Sequence, residues 1–333
     1  MQIVFMGTAE LSCASLEKLA RDDRFYVSAV VTQPDKPRGR ELKRQPPPVK
    51  ALAGKLRLPV LQPPRARDEK FIGELAALKP DLIVVVAYGH ILPPTILDLP
   101  RHGCLNVHAS LLPKYRGAAP IQWAIARGET ETGVTIMKMD AGLDTGPLVS
   151  QCRTPIQPAD DSATLHDRLA RLGAELLVRT IPDFVAGRIQ PQSQADHGAT
   201  YAPKIKKEDG RIDWKLPAKT IMDRLRAFTP WPGAFTYLSG APLASGAATP
   251  SAGSRESGTA NAPKPQLLKI WKVEIVTQSG EPGTILSADK DGLVVAGGQD
   301  ALRVLELQRE GGRRMPITEF LAGHPLKAGE RLG

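Results

Sequence analysis

A chain of 333 residues is long enough for two domains with cores of their own. Its three cysteines, Cys13, Cys104 and Cys152, are odd in number and too scattered for a disulfide framework or a zinc cluster. The net charge of +9 is shared, with 26 basic against 21 acidic residues over 1–205 and 18 against 14 over 206–333, so it suits a polyanionic partner without marking one region for it. No apolar run approaches the ~20 residues of a membrane span, and residues 2–5 already read as strand, leaving no room for a leader. A reduced cytoplasm is the expected compartment.

Residues 2–6, QIVFM, form a short apolar strand running into Gly7 and Thr8, where the Thr8 hydroxyl is placed to cap a helix through Leu11, Leu16 and Leu19. Strand, turn and helix suggest a dinucleotide site, but GTAEL lacks the glycines that let backbone approach a pyrophosphate, which argues against a nicotinamide enzyme. A second strand at 25–31 leads into 33–48, QPDKPRGRELKRQPPP, with five prolines and no apolar periodicity. Within 35–44 five basic residues stand against two acids. Such a run is ordinarily a solvated face, yet an unstructured connection beyond about 12 to 15 residues is usually functional or disordered, and the functional reading is preferred. Helices at 49–56 and 68–78 around a short strand at 59–61 complete an alternation that predicts a doubly wound sheet.

The stretch 81–117, DLIVVVAYGHILPPTILDLPRHGCLNVHASLLPKYRG, holds the chemistry. Its run 82–87 is too short for a globular helix and rich in Val and Ile, so it reads as a buried strand. Residues 104–107 read as a neighbouring strand, with a Pro-bounded turn of helix at 93–99 between them. The chain then turns polar at Asn106, His108 and Ser110. An amide and an imidazole two residues apart point to one side of a strand, and ligand sites of parallel sheets form beyond the strands' carboxyl ends. A strand-end Asn is more often a turn former and an isolated His more often a satisfied polar residue, so both readings stay open here.

Beyond it, 118–127 reads as helix, and 131–139 and 148–153 as strands flanking the loop 140–147. Ser162 is expected to cap a long helix carrying Leu165, Leu169, Leu172, Leu176 and Leu177 on one face, with His166 in a structural role. Periodicity lapses over 188–207, the expected linker between domains at 1–187 and 208–333. The second domain shows a helix at 217–228 and strands at 234–238, 267–276, 283–288, 292–296 and 302–307, with Asp291 and Gly292 as a hairpin turn. Short strands at this density predict a small OB-like barrel, a common nucleic-acid platform. Between the first two, 239–265 has one leucine and no other large apolar residue, the composition of a flexible insert.

Two strings carry a resemblance: NVHASLLPKYRGAAPIQWA at 106–124 and GVTIMKMDAGLDTGP at 133–147. They are similar to the 10-formyltetrahydrofolate-dependent formyltransferases, and the match runs from Ile3 to near the C-terminus. The Asn, the His, SLLP and the downstream Asp are common to that family. The QPDKPRGR loop, the TYAPKI segment and the second domain point within it to the branch acting on methionyl initiator tRNA. The resemblance implies a Rossmann-like, mostly parallel α/β catalytic domain and an OB-like tRNA-binding domain. It also implies 10-formyltetrahydrofolate as formyl donor, no metal, and a monomeric cytoplasmic enzyme of translation initiation. By the same resemblance Ser110, Leu111, Leu112 and Pro113 hold tetrahydrofolate, with Tyr88, Gly89 and Ile91 along the pteridine pocket. Lys36, Arg38, Arg40, Lys43 and Arg44 are the expected tRNA contacts, Arg40 matching the family's arginine best. Ala9 and Leu11 stand where the family has Pro and Phe, and the 239–265 insert where it has a tight connection.

Formyl transfer asks an amine to attack a formamide carbon, so negative charge builds on the formyl oxygen and the leaving nitrogen must gain a proton. Asn106 offers an amide donor, and His108, if protonated, a second one. Asp144 is the natural carboxylate to orient that imidazole and to take the amine's proton. An α-amine, with a reference pKa of about 7.7 to 8.0, loses its proton with little help. No serine or cysteine nucleophile is needed, and no nucleophile elbow surrounds Ser110. Two other readings stay in view. The same chemistry on a small acceptor, such as a glycinamide nucleotide or an amino sugar, needs neither barrel nor basic loop. A catalytically silent RNA-binding protein has no use for Asn106, His108 and Asp144.

Overall fold

The structure is a computed structural model describing residues 1–38, 43–238 and 265–333. The chain divides into two compact units, 1–124 with 129–204, and 125–128 with 205–333.

The first unit alternates short apolar strands with helices. β1 (Gln2–Gly7), α1 (Leu11–Ala20) and β2 (Tyr26–Val31) come first, then a two-stranded arm, β3 (Lys36–Arg38) and β4 (Lys43–Gln45). There follow α2 (Pro48–Lys55), β5 (Val60–Leu61), α3 (Glu69–Ala77), β6 (Leu82–Val86), α4 (Pro94–Leu97), β7 (Cys104–His108) and β8 (Arg116–Gly117). Then come α5 (Pro120–Ala126), β9 (Glu131–Lys138), β10 (Leu148–Pro155), α6 (Ser162–Val185) and β11 (Tyr201–Ala202).

Seven strands join in the order β10-β9-β7-β6-β1-β2-β5, parallel from β7 to β5 and antiparallel at the β9 and β10 edge. β1 pairs β2 on one side and β6 on the other, so the winding reverses there, where a doubly wound sheet takes its ligand. Val4 and Met6 of β1, Ile83 and Val85 of β6 and Cys104 of β7 share a core with Phe71 and Leu75 of α3 and Ile96 and Leu97 of α4. α6 lies on the opposite face, and Gly173 approaches so closely that a Cβ there would sit 2.9 Å from a methyl of Val107. Strand side chains alternate, so Asn106 and His108 continue the Cys104 row at the carboxyl end of β7.

Local chemistry explains where the elements begin. Asp68 caps α3, accepting the Phe71 N–H at 3.0 Å. α6 is capped by Asp161, whose extended backbone lets its carboxylate accept from Ala163 and Thr164, while its own N–H donates to the Thr164 hydroxyl. Ser162, the expected cap, is instead the first helical residue. Thr8 does not cap either. α1 starts later, at Leu11, and the Thr8 hydroxyl donates to the Tyr88 carbonyl at 2.9 Å, tying the ends of β1 and β6 together. Gly7 serves packing: a Cβ there would lie 2.7 Å from that of Ser12, whose hydroxyl donates to the Val86 carbonyl.

Two stretches without side-chain periodicity carry backbone pairing. Within 33–48, β3 and β4 pair antiparallel from Lys36 and Gln45 to Arg38 and Lys43. The expected linker 188–207 is largely a strap on the first unit, bridging Leu148 at Gln192 and pairing β11 with β8; the unit ends at Lys204.

The second unit contains α7 (Ala218–Ala227), β12 (Ala234–Leu238), β13 (Gln266–Val276), β14 (Ile285–Asp289), β15 (Gly292–Ala296), β16 (Ala301–Arg309), β17 (Arg314–Pro316) and α8 (Ile317–Gly323). Its strands form the antiparallel order β12-β13-β16-β15-β14, with β17 on β16. The edge strands are linked through the C-terminal segment, where Leu332 bridges Leu238 and Arg331 bridges Thr284, giving a small barrel. Its core joins Leu268, Ile270, Leu293, Val295 and Val304 to Trp214 and Ile221, and to Ile317 and Phe320 of α8, a helix too short to stand out in the sequence. The hairpin turn lies one residue earlier than expected, at Lys290 and Asp291, because Gly292 already pairs with Asp289. Of the 239–265 insert, residues 239–264 lie outside the described residues. Among the described residues no helix is long and apolar enough to cross a membrane.

Candidate active site

Asn106, His108 and Asp144 come together at the carboxyl end of β7. Asn106 Nδ2 donates to Asp144 Oδ1 at 3.3 Å, and His108 Nδ1 lies 3.6 Å from Asp144 Oδ2. The other ring nitrogen, Nε2, is 2.9 Å from the Tyr115 carbonyl and donates to it, since a carbonyl can only accept. Asn106 and His108 are 9% and 6% exposed, so the trio is screened from water, which strengthens each electrostatic contact it makes.

Asp144 stands on the loop between β9 and β10 at φ 53°, a left-handed conformation uncommon for a residue other than glycine. Within the loop, Asp140 accepts from the Gly142 N–H and the Thr145 hydroxyl. From outside it, Gly117 N–H donates to Asp144 Oδ2 at 2.8 Å, and Gln194 Nε2 donates to the carbonyls of Asp144 and Gly146, both at 2.8 Å. Gln194 and Arg116 are residues that sequence reasoning missed. Arg116 and Gly117 sit inside a quoted motif, but nothing in the string pairs them with a glutamine 78 positions away.

The residues expected along a folate pocket fall into two groups. Leu111, Leu112 and Pro113 line a cavity of about 310 Å³ with Tyr115, Glu129 and Gln151. Ser110 is fully buried and does not line it. Its hydroxyl donates to the Lys114 carbonyl at 2.6 Å and its carbonyl accepts from Thr135, so it shapes the loop. Tyr88, Gly89 and Ile91 follow β6, where Thr8 and Gln33 both donate to the Tyr88 carbonyl and Gly89 takes φ 82°. Two buried polar atoms in this group, Tyr88 Oη and His90 Nδ1, have no hydrogen-bond partner among the described residues. Burial pushes the Tyr88 phenol up to about 12, keeping it a neutral donor. Burial, and after it the Lys36 charge, hold the His90 imidazole below its usual range. An unpaired donor and an uncharged ring beside the switch point fit the polar edge of a heterocycle.

Of the expected tRNA contacts, Lys36 and Arg44 are exposed on the arm, and Lys36 donates to Gln33 Oε1 at 2.6 Å. Arg40 and the side chains of Arg38 and Lys43 lie outside the described residues. The base of the arm is anchored at Asp35, which accepts from Lys50 and Gln62 at 2.8 Å; the Gln62 and Lys50 bonds hold its carboxyl below the usual range.

Comparison with known proteins places this geometry. The formyl transferase model matches residues 1–181, and the model of the formyl transferase C-terminal domain matches 204–325. Methionyl-tRNA formyltransferase from Geobacter sulfurreducens is 46% identical over 333 residues, covering 100% of this chain and 97% of that protein. The enzyme of that name from Caldanaerobacter subterraneus subsp. tengcongensis is 48% identical over 332 residues, covering 99% of each. Among solved structures, an N-formyltransferase from Helicobacter canadensis in complex with folinic acid and dTDP-3-aminofucose gives a TM-score of 0.62 at 17% identity, over 91% of this chain and 98% of that one, a likeness of fold. With such identity sustained along both units and nearly the whole of each relative, the chain belongs to the methionyl-tRNA formyltransferase family.

Proposed function

We propose that the chain transfers the formyl group of 10-formyltetrahydrofolate to the α-amino group of methionyl initiator tRNA, as a cytoplasmic enzyme that prepares the tRNA for translation initiation. The observation that carries the reading is the convergence of Asn106, His108 and Asp144 at the carboxyl end of β7, two strands from the reversal at β1. The amine attacks the formyl carbon and the carbonyl π pair moves to oxygen. Asn106 Nδ2 and Nδ1 of a protonated His108 donate to that oxyanion, their contacts with Asp144, at 3.3 and 3.6 Å, being long enough to be exchanged. Asp144 takes a proton from the attacking nitrogen, directly or through water. The tetrahedral adduct then collapses, the bond from carbon to the folate nitrogen breaks, and that nitrogen leaves with the proton that Asp144 took, returned directly or through water.

The donor is held by the Leu111 to Pro113 loop and by the segment after β6, with Tyr88 Oη as a polar contact. The acceptor's phosphates meet the basic arm, Lys36, Arg38, Arg40, Lys43 and Arg44, and the second unit adds an OB-like surface for RNA. Action as a monomer is part of the same proposal.

The test supplies purified protein with 10-formyltetrahydrofolate and, in separate reactions, charged initiator tRNA, free methionine and glycinamide ribonucleotide, and follows release of tetrahydrofolate. Release with charged tRNA alone is the expected result. Equal release with a small acceptor would remove tRNA from the reading.

A further inference from the structure

We infer that Gln194, held by Arg116, is a positioning residue that sets the carboxylate of Asp144, an inference that rests on the proposed role of Asp144. The Asp144 loop is exposed, with Leu143 at 56% exposure, and the aspartate sits in a left-handed conformation that persists where surrounding contacts over-determine it. Those contacts are supplied by a strap. Gln192 exchanges backbone hydrogen bonds with Leu148 at 2.7 and 2.8 Å, fixing the far end of the loop. Two residues on, Gln194 Nε2 donates to the carbonyls of Asp144 and Gly146. Farther along, Thr200 and Ala202 bond the backbone from Tyr115 to Ala119.

The orientation of the Gln194 amide is not free. Its Oε1 accepts from Arg116 Nε at 3.1 Å and from Nη2 at 2.9 Å, and a guanidinium can only donate, so the NH₂ group must face the loop. Arg116 is 3% exposed, and the nearby Asp196 carboxylate, 3.8 Å from Nη1, is fully exposed, so the half-buried Gln194 is the acceptor that the cation depends on. The next residue, Gly117, donates its N–H to Asp144 Oδ2. The pair Arg116 and Gly117 therefore grips Asp144 at both ends, the carboxylate directly and the backbone through Gln194. A carboxylate displaced by about 1 Å from a reacting amine can cost on the order of 10²-fold in rate, which sets the scale of the effect.

Gln194→Glu separates positioning from folding. The carboxylate keeps an acceptor for Arg116, now charge-assisted, but turns an acceptor toward two carbonyl oxygens and loses both bonds to the loop. Formylation of charged tRNA is measured for wild type, Gln194→Glu, Asp144→Asn and the double variant, with thermal midpoints alongside. Expected are a roughly 10- to 100-fold lower kcat for Gln194→Glu with KM for both substrates within about 2-fold, an unchanged midpoint, and a double variant no slower than Asp144→Asn alone. Gln194→Asn, which keeps the amide one methylene short, recovers part of the rate, and stands in if the glutamate variant does not fold. A wild-type kcat for Gln194→Glu beside a slow Asp144→Asn overturns this inference alone, as does a double variant that loses the product of the two single effects. A wild-type kcat for Asp144→Asn overturns the reading of the site beneath it.

Discussion

Around Asp144 the glycines are dictated by contact rather than by conformation. A Cβ on Gly146 would lie 1.9 Å from the Lys138 carbonyl oxygen, a backbone atom that cannot move cheaply, and one on Gly142 would lie 2.0 Å from Thr145 Oγ1. Gly146→Ala is therefore expected to destabilise the first unit by about 1–3 kcal/mol and to lower kcat, because the loop must shift to admit the methyl. Urea unfolding and steady-state formylation check both; a variant with wild-type stability and rate would show that the loop is not held as described. At this scale the sequence is legible where a side chain's direction follows from a period. Asn106 and His108 share a side because strands alternate, and a polar pair ending an apolar row stands out. Gln194 is not legible, because its meaning comes from an arginine far along the chain and from the carbonyls it meets. Thr8 is misread for a related reason: a threonine before a helix resembles a cap, while the hydrogen bond it makes is to a neighbouring strand end.

The doubly wound alternation is readable among the elements because buried strands and amphipathic helices leave apolar patterns. The β3 and β4 arm and the strap are not, since backbone pairing leaves none. In α6 the acidic residues before the first turn divide the work: Asp161 caps, while Asp160 is buried and accepts from both Arg168 terminal nitrogens, at 2.9 and 2.6 Å, and from the Gln157 N–H. Burial pushes the Asp160 carboxyl up, but the Arg168 and Gln157 bonds outweigh it and hold it below the usual range. A depressed folded value contributes stability that is present above the unfolded value, about 3.9, and lost as pH falls through the folded one. Asp160→Asn is thus expected to cost about 1.5–3 kcal/mol at neutral pH, a difference that narrows as acid protonates the wild type below pH ~4. Denaturation at a series of pH values reads this, and a pH-independent difference would contradict it. For the arm, Arg40→Ala should reduce the salt slope of tRNA binding by about one unit without altering folate affinity, and Arg40→Lys should restore it only in part, lacking the planar donor fork. An unchanged slope would return the arm to a solvated surface.

For the whole molecule, the two units answer to different parts of the sequence: the proposed catalytic trio lies in the first, and the second supplies the barrel matched by its own family model. The insert interrupts that barrel where Leu238 pairs with Gln266, so its ends are neighbours on adjacent strands. Excising 241–264 should leave formylation nearly unchanged, since each halving of a loop alters closure by only about 0.6 kcal/mol and the excision amounts to about three halvings, each lowering the cost of closure. A large rise in KM for tRNA would instead make the insert part of the acceptor site. The central claim, that Asn106 and His108 stabilise charge developing on the formyl oxygen, is tested most directly by the single-turnover rate of formylation with charged initiator tRNA and 10-formyltetrahydrofolate both saturating. Asn106→Ala and His108→Ala are each predicted to slow that step by roughly 10²-fold or more, with the Kd for tRNA unchanged. A folded variant of either kind that turns over at the wild-type rate would contradict it.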